Sequence, residues 1–486
     1  QRPPAKPQVR QPRTTRSTPG AAGRHASTTQ RTMPVFNKIP KRGLLSLVLL
    51  LAGVALYGWL VPAESKAVEA QLLGFPDSDA PSHLMRPKVL GVICFLPALA
   101  GLAYAWGGVL ARYMARQFLG IFGVCFTLLL TVWLLMDLQN NLIDLRQSDE
   151  LATTFLNFYA TRLPSILLQL LPYSLLLSLL YCLGKLSKTR EIVAMIQTGR
   201  SLPRICLPLI IGGVLCTVLC AGLNYHWAPV SDGSSNEILQ KAKGATVAAA
   251  SDVLYRNAQQ RRLWMVGTFP KDYEKGEPLL NVEITTTSDR GVMLSRLAAG
   301  QARWNPADRT WKFEQATVGT FEPDMPPDYV EHTEPLIEEG WSETPWKLIK
   351  PGLAAPYLGI PDLNGWLLAN VGNELTVSPA PYLTQWHYRW AQPLVCLVTV
   401  LLAAPLGIHF SRRGSTGGVA LAVALSGAMM FFSTVCMSLG EAAFISPAVA
   451  AWLPNLVFAL LGIYLFHRRM TGRPIYQSLL RLFPGA

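Results

Sequence analysis

The sequence predicts an α-helical polytopic membrane protein with an inserted all-β domain. Half of its 486 residues are hydrophobic, only 15% are charged and the mean hydropathy is +0.26, which is too apolar for an ordinary soluble protein. Eight apolar runs of about 20 residues are each long enough to cross a bilayer as a helix. Between the fifth and sixth runs lies a long polar interval with the alternation typical of β-strands.

The charges between the spans predict their orientation. The spans lie near 43–61, 88–109, 118–137, 164–184, 203–223, 390–410, 418–438 and 447–466. Residues 1–42 carry ten Lys or Arg and no acid, and 185–204 carries five against the single acid Glu191. The connections 62–87 and 138–163 hold more acids than bases. Because basic residues are retained in the cytoplasm, both termini are predicted inside and the polar interval outside.

The composition divides the chain into seven segments. They are a basic disordered tail (1–42), two amino-terminal spans (43–109), a first three-span half (110–227), a β-domain (228–360), an amphipathic linker (361–388), a second three-span half (389–470) and a cytoplasmic tail (471–486). The run 43–61 is also compatible with a signal peptide. Its length and the charge bias of the following connections favour an uncleaved anchor.

The outer segment shows strand patterns. RRLWMVGTF (261–269), PLLNVEITTTS (278–288) and GQARWNPADRTWKFEQATVGTFE (300–322) alternate apolar and polar residues between turn signals. NPADR is a plausible hairpin loop between Trp304 and Trp311. Several short strands at this spacing predict a sandwich or a jelly roll.

An acidic, proline-rich connection (323–346) and a short amphipathic helix (361–375) follow the strands. The apolar face of this helix consists of Leu363, Trp366, Leu367 and Val371. We expect it to pack beneath the β-domain, with a gating role as the alternative.

The net charge of +13 does not indicate nucleic-acid binding. Residues 228–388 hold 20 of the 30 acids and 14 of the 43 Lys and Arg, so the positive excess lies in the membrane connections and tails. No P-loop, HExxH, CxxC or GxSxG motif occurs, and His332 and His387 have no ligand-like neighbours. All eight cysteines fall in predicted spans. We therefore expect no catalytic residue, no metal and no cofactor bound by this chain.

The polar stretch SKTREIVAMIQTGRS (187–201) separates two membrane-length runs on the predicted cytoplasmic side. Thr189 is predicted to cap a short helix, Glu191 to lie in its first turn and Gly199 to end it. Its apolar edge would consist of Ile192, Met195 and Ile196, with Arg190, Ala194 and Gln197 facing away. An isolated acid on a basic helix favours docking on a soluble partner. Interfacial binding to lipid headgroups is the alternative.

Four stretches carry a resemblance to a known family. LARYMARQFLGIF (110–122), MDLQNNLIDL (136–145), the segment 163–209 and ISPAVAAWLPNLVFALLGIYLFHRR (445–469) resemble the LptF/LptG (YjgP/YjgQ) permeases of the lipopolysaccharide exporter. The resemblance implies a multi-pass inner-membrane permease with six family spans and a periplasmic β-jelly-roll between the third and fourth. The family has no nucleotide site of its own.

The resemblance also implies partners. These are a second LptF/LptG-type permease, a separate cytoplasmic LptB-like ABC ATPase dimer that holds ATP and Mg, periplasmic LptC/LptA-like jelly-roll proteins, and lipopolysaccharide itself. By this similarity 187–201 is the coupling helix, and Arg190, Glu191, Met195 and Gly199 are the expected contacts with the ATPase.

Two departures from the family pattern concern the amino-terminal region and the lipid path. The two spans within 43–109 have no family counterpart. Many relatives place a lysine near the outer end of the first family span to meet lipid phosphates, but Asp137 occupies that place here and repels a phosphate unless a cation bridges them. Arg146 and Arg162 are the expected substitutes, with surface anchoring as the alternative. Two rival functions remain open, a membrane-anchored scaffold or receptor and a permease for another lipid.

Overall fold

The computed structural model confirms a helical membrane protein with an inserted β-domain. It describes residues 41–72, 80–147, 150–243, 248–257, 260–270, 273, 276–288, 291–305, 308–321, 325–349, 352–369, 378–408 and 416–471. Within these ranges, eight helical segments are long and apolar enough to cross a membrane, as the sequence predicts.

The described residues form fourteen α-helices, eight before the β-domain in the chain and six after the last strand. The helices before it are α1 (Lys41–Leu72), α2 (Ala80–Leu84), α3 (Arg86–Trp106), α4 (Val109–Leu145), α5 (Leu151–Lys188), α6 (Glu191–Gln197), α7 (Leu202–Tyr225) and α8 (Trp227–Ala242). The helices after it are α9 (Pro345–Ile349), α10 (Ile360–Ala369), α11 (Ala380–Ala391), α12 (Val395–Gly407), α13 (Thr416–Glu441) and α14 (Pro447–Met470). A 3-10 turn joins α11 to α12, and together they form one span.

Two spans occupy the centre of the bundle. Of the 18 most apolar residues of each span, 67% are buried in α5 and in the α11–α12 span, against 6% in α4 and 17% in α13. Helix α7 approaches α12 closely at Gly213, where a Cβ atom would lie 2.5 Å from Cγ2 of Val400. The central helices therefore form a packed core, whereas α4 and α13 present apolar faces outward.

The amino-terminal helices form a separate pair beside this core. Helix α1 packs on α3, and α3 packs on α7 where the side chain of Ile93 fills the space beside Gly222. A Cβ atom at Gly222 would lie 2.6 Å from Cδ1 of Ile93. Small residues thus allow the pair to sit tightly against the bundle.

The β-domain is one antiparallel sheet of seven described strands. They are β1 (Ala248–Asn257), β2 (Arg262–Pro270), β3 (Leu279–Thr287), β4 (Met293–Asn305), β5 (Thr310–Thr320), β6 (Asp328–His332) and β7 (Leu336–Glu339). Strands β1 to β6 pair in sequence order, and β7 shares the outer edge of β5 with β6. This is the order of a meander, whereas a jelly roll has Greek-key connections between two sheets.

The predicted strands and hairpin are confirmed. Strands β2, β3, β4 and β5 cover the alternating stretches, and Trp304 pairs with Trp311 across the hairpin. Trp264, Trp311 and Phe313 are fully buried on the inner face, because alternate residues of a strand point to the same side. The short helix α9 adds Leu348 to the same core.

Two segments differ from their predicted form, and a third is confirmed over the residues that the structure describes. Residues 228–242 lie in helix α8, and the proline-rich connection contains β6 and β7. The predicted helix 361–375 is confirmed through α10, where Leu363 and Trp366 are buried, while 370–377 lies outside the described residues.

Candidate functional site

The predicted coupling segment is a seven-residue helix set off by two left-handed residues. Arg190 adopts φ +60° immediately before α6, and Gly199 adopts φ +82° after it. The amide of Gly199 donates to the carbonyl of Ile196 at 2.9 Å, which confirms the predicted helix end. The prediction that Thr189 caps α6 is wrong, because Thr189 is the last residue of the α5 turn and the chain reverses at Arg190.

One face of α6 packs into the bundle. Ile192 and Met195 are 1% and 8% exposed and belong to the core formed by α5, α7 and α12. Ile196, the third residue of the predicted apolar edge, is 37% exposed. Met195 therefore fixes the helix to the bundle, and the face offered outward carries Ala194 and Gln197 instead.

Glu191 is held by two hydroxyl groups. Tyr113 in the first turns of α4 donates to Oε2 at 2.7 Å, and Thr189 donates to Oε1 at 2.8 Å. The acid thereby connects α6 to α4, 78 residues away in the chain. Sequence reasoning missed Tyr113, whose only signal is a tyrosine within the basic stretch LARYMAR.

Four basic residues flank this acid in the sequence. Lys185, Lys188, Arg190 and Arg200 are exposed. A cleft of about 550 Å³ opens between α6 and the end of α14 and is lined by Ile196, Arg200 and Arg469 among others. The cleft is lined by apolar side chains together with two arginines, which suits an acidic and apolar protein surface.

Helix α6 and the β-domain lie at opposite ends of α7. Helix α6 precedes Leu202, while α8 and the β-domain follow Tyr225. The 24 residues of α7 span about 36 Å at 1.5 Å per residue, enough to cross a bilayer. A single span thus connects the two predicted functional regions.

The predicted lipid-path residues include a pair of opposite charge. Nη1 of Arg162 lies 2.8 Å from Oδ1 of Asp137, and the guanidinium also lies over the rings of Trp133 and Phe158. The pair joins α4 to α5. Arg162 is therefore the ion-pair partner of Asp137. Arg146, by contrast, is exposed at the end of α4.

A bundle of eight membrane-length helices with an inserted β-domain and a short helix between two spans defines a polytopic membrane protein. Residues 112–468, most of the chain, match the family model of the lipopolysaccharide export system permease LptF/LptG, and the chain belongs to this family. Among curated proteins, none matches it. The family is one of transport permeases and not of enzymes.

The helices outside the family match meet the family core at a buried polar cluster. His83 of α2, 1% exposed, lies 3.8 Å from a carboxylate oxygen of Asp362 in α10, and His226 lies 3.7 Å from the other oxygen. The hydroxyl of Tyr225 donates to the carbonyl of Ser82 at 2.9 Å. Sequence reasoning missed this cluster, since its members are far apart in the chain.

Burial sets the protonation of His226. It lowers the pKa of this imidazole to about 4, and the nearby Asp362 carboxylate opposes the shift only in part. His226 is therefore neutral at pH 7.

Proposed function

We propose that this chain is the permease subunit of an ABC transporter that extracts lipopolysaccharide from the inner membrane and passes it to a periplasmic bridge. A separate cytoplasmic ATPase dimer supplies the energy. Membership of the LptF/LptG family supports lipopolysaccharide as the cargo. The observation that carries the finer proposal is α6, a short helix fixed in the bundle at the end of α7 opposite the β-domain.

The packing of α6 suits the transmission of force. Seven residues are too few for a helix that is stable alone, so α6 owes its structure to the bundle. Ile192 and Met195 lie among core side chains of neighbouring spans. A partner that grips the outward face, with Arg190, Glu191 and the turn at Gly199 beside it, moves the ends of α5 and α7. ATP-driven closure of the partner dimer would then switch the lateral cleft between two permease subunits from an open to a closed state.

The outward faces of α4 and α13 are proposed to line that cleft with a second LptF/LptG-type permease. Both are apolar spans that the subunit leaves largely uncovered. At the end of α4 that is far from α6, Arg146 is exposed and is proposed to contact lipid phosphates. The Arg162 guanidinium becomes available to a phosphate only if it leaves Asp137, with which it forms an ion pair.

The β-domain is proposed to lie in the periplasm and to bind LptC/LptA-like proteins. Strand β6 is exposed along nearly its whole length at one edge of the sheet, and β1 forms the other described edge. Unpaired strand edges accept an added strand from a partner.

Charge reversal on α6 tests the proposal. We expect Glu191→Lys to insert normally in the membrane but to lose ATPase co-purification and export. Glu150→Lys, an exposed acid at the opposite end of α5, is the matched control and should change neither. Full co-purification and export with Glu191→Lys would contradict an ATPase contact at α6 and favour a scaffold whose spans serve as anchors.

A further inference from the structure

The short helix α2 lies between α1 and α3 in the chain, outside the family match, and contacts the base of the β-domain. The chain enters the β-domain through α8 and leaves it through α10. We call residues 225–242 the entry stem and residues 359–369 the exit stem. Any motion of the β-domain relative to the membrane spans passes through these two stems, so their contacts with α2 decide how freely it moves.

A single residue of α2 accepts hydrogen bonds from both stems. The hydroxyl of Tyr225 donates to the carbonyl of Ser82 at 2.9 Å, and Nδ2 of Asn364 donates to the Oγ of Ser82 at 3.2 Å. The next residue, His83, is 1% exposed and lies 3.8 Å from a carboxylate oxygen of Asp362 in the exit stem. Two adjacent residues of α2 thus contact the entry stem and the exit stem at once.

The two stems meet each other at Asp362. One of its carboxylate oxygens lies 3.7 Å from Nδ1 of His226 in the entry stem and accepts a hydrogen bond from the amide of Gly359 at 3.3 Å. A Cβ atom at Gly359 would lie 3.0 Å from Cα of His226, so the two backbones approach closely. The indole of Trp386 in α11 donates to Asn364 at 2.7 Å. The stems therefore form one joint, and α2 packs against both of its parts.

The amino-terminal pair of α1 and α3 is itself fixed to the bundle. Arg86 at the start of α3 forms an ion pair of 2.6 Å with Glu64 of α1, and both side chains are largely buried. Ile93 of α3 packs on Gly222 of α7. Lipid tails are as apolar as the surfaces of the spans, so polar contacts shielded from water specify how such helices are arranged. The contacts of α2 therefore join the stems to a fixed support.

We propose that the amino-terminal pair is a brace, which acts through Ser82 and His83 of α2 to limit the motion of the β-domain relative to the membrane spans. Because α2 contacts both stems where they meet, neither stem can rotate without breaking those contacts. Once α2 is released, the β-domain samples a wider range of orientations. The inference goes beyond the proposed function, in which the residues before the family match have no part.

The range of orientations is measurable in the full chain reconstituted in nanodiscs. Spin labels are attached to p-acetylphenylalanine at two exposed positions, Arg303 of β4 and Phe444 between α13 and α14, so that the native cysteines stay in place. Double electron–electron resonance then gives the distribution of distances between the β-domain and the bundle. Its width measures how far the β-domain moves, and we expect one narrow distribution when the contacts of α2 are intact.

Removing both hydrogen bonds at Ser82 tests the brace. The double variant Ser82→Ala, Tyr225→Phe should raise the proportion of molecules with released stems about five- to 150-fold, so that a second, broader set of distances appears. The matched control Ser65→Ala, Tyr57→Phe makes the same two changes on α1. There the hydroxyl of Ser65 donates to the carbonyl of Pro62 within the helix, and Tyr57 is 44% exposed. The control should keep the narrow distribution.

The variant His83→Glu is a stronger perturbation, because it places a second carboxylate beside Asp362. It should broaden the distribution further. A narrow distribution in both α2 variants would overturn the proposal, and so would equal broadening in the α1 control. Hydrogen exchange of the β-sheet amides completes the test, since broadening with faster exchange there would assign the motion to a loosened sheet and also overturn the brace. The measurement needs no ATPase and no lipid cargo, so it does not depend on the permease function.

Discussion

Replacing Tyr113 with phenylalanine separates two roles of Glu191. The Glu191 carboxylate either meets the partner ATPase directly or holds α6 in place through its hydrogen bond from Tyr113. Tyr113→Phe removes only the phenolic hydroxyl and keeps the ring. The negative charge of Glu191 remains, together with its hydrogen bond from Thr189.

The expected size of the effect follows from the exposure of the pair. A hydrogen bond to a charged group contributes about 1.5–3 kcal/mol when it is shielded from water. Tyr113 is 38% exposed, so water competes for both groups and about 0.5–1 kcal/mol remains. This energy corresponds to about a two- to fivefold increase in the population with α6 detached from α4.

Hydrogen exchange of the amides of residues 191–197 measures that population. We expect the variant to exchange about two- to fivefold faster there and to lose a similar share of ATPase co-purification. Tyr181→Phe is the matched control, because Tyr181 is 64% exposed on the neighbouring helix α5. Unchanged exchange in Tyr113→Phe would refute the positioning role. Faster exchange with full co-purification would show that the position of α6 does not govern ATPase binding.

Three further changes test other contacts. Arg162→Gln should lower the free energy of unfolding by about 1–3 kcal/mol, because it leaves Asp137 largely buried without its cation, and adding Asp137→Asn should restore part of the loss. Arg190→Gly should stabilise the protein by about 1 kcal/mol, since glycine adopts the left-handed conformation freely. The lowered pKa of His226 predicts stability that is full above about pH 6.5 and falls by about 3 kcal/mol toward pH 4.

Each of these expectations has a contrary result. Additive losses in the Asp137 and Arg162 double-mutant cycle would show that the two side chains do not interact. A destabilised Arg190→Gly variant would mean that contacts of the arginine side chain contribute more to the free energy of unfolding than its left-handed backbone conformation costs. For the pH dependence, His226→Gln should flatten the curve of melting temperature between pH 6.5 and 4. An unchanged slope would assign the acid sensitivity to other groups.

Local patterns predicted the spans and most of the sheet. Twenty apolar residues in a row, or strict alternation around a turn, leave few other ways to satisfy the backbone. Helix α8 was missed because Pro229, Gly233 and the polar residues between them are typical of a loop. Its helical form depends on packing against α5, and Ser231 and Ser235 are buried there. Strands β6 and β7 were missed because their pairing with β5 outweighs their acidic composition.

The candidate site was predictable only where it depends on neighbours in the sequence. The turn at Gly199 follows from one residue type, and the end of α6 was placed correctly. The partners of Glu191 and Asp137 were not, because Tyr113 is 78 residues from one and Arg162 is 25 residues from the other. Charge alone suggested that Asp137 repels phosphate, but the fold places a guanidinium 2.8 Å from it.

Helix α4 connects these two polar contacts. Tyr113 lies near its first turn and Asp137 lies 24 residues later, about 36 Å along the axis. Between them the helix is held to its own subunit by few buried side chains, and its outward face is apolar. An α-helix is stiff along its axis, so a displacement of α6 that the hydrogen bond from Tyr113 transmits to α4 would reach Asp137. Under the proposed function, ATP-driven movement at Glu191 would then act on the ion pair of Asp137 with Arg162, the contact for which an arriving lipid phosphate competes.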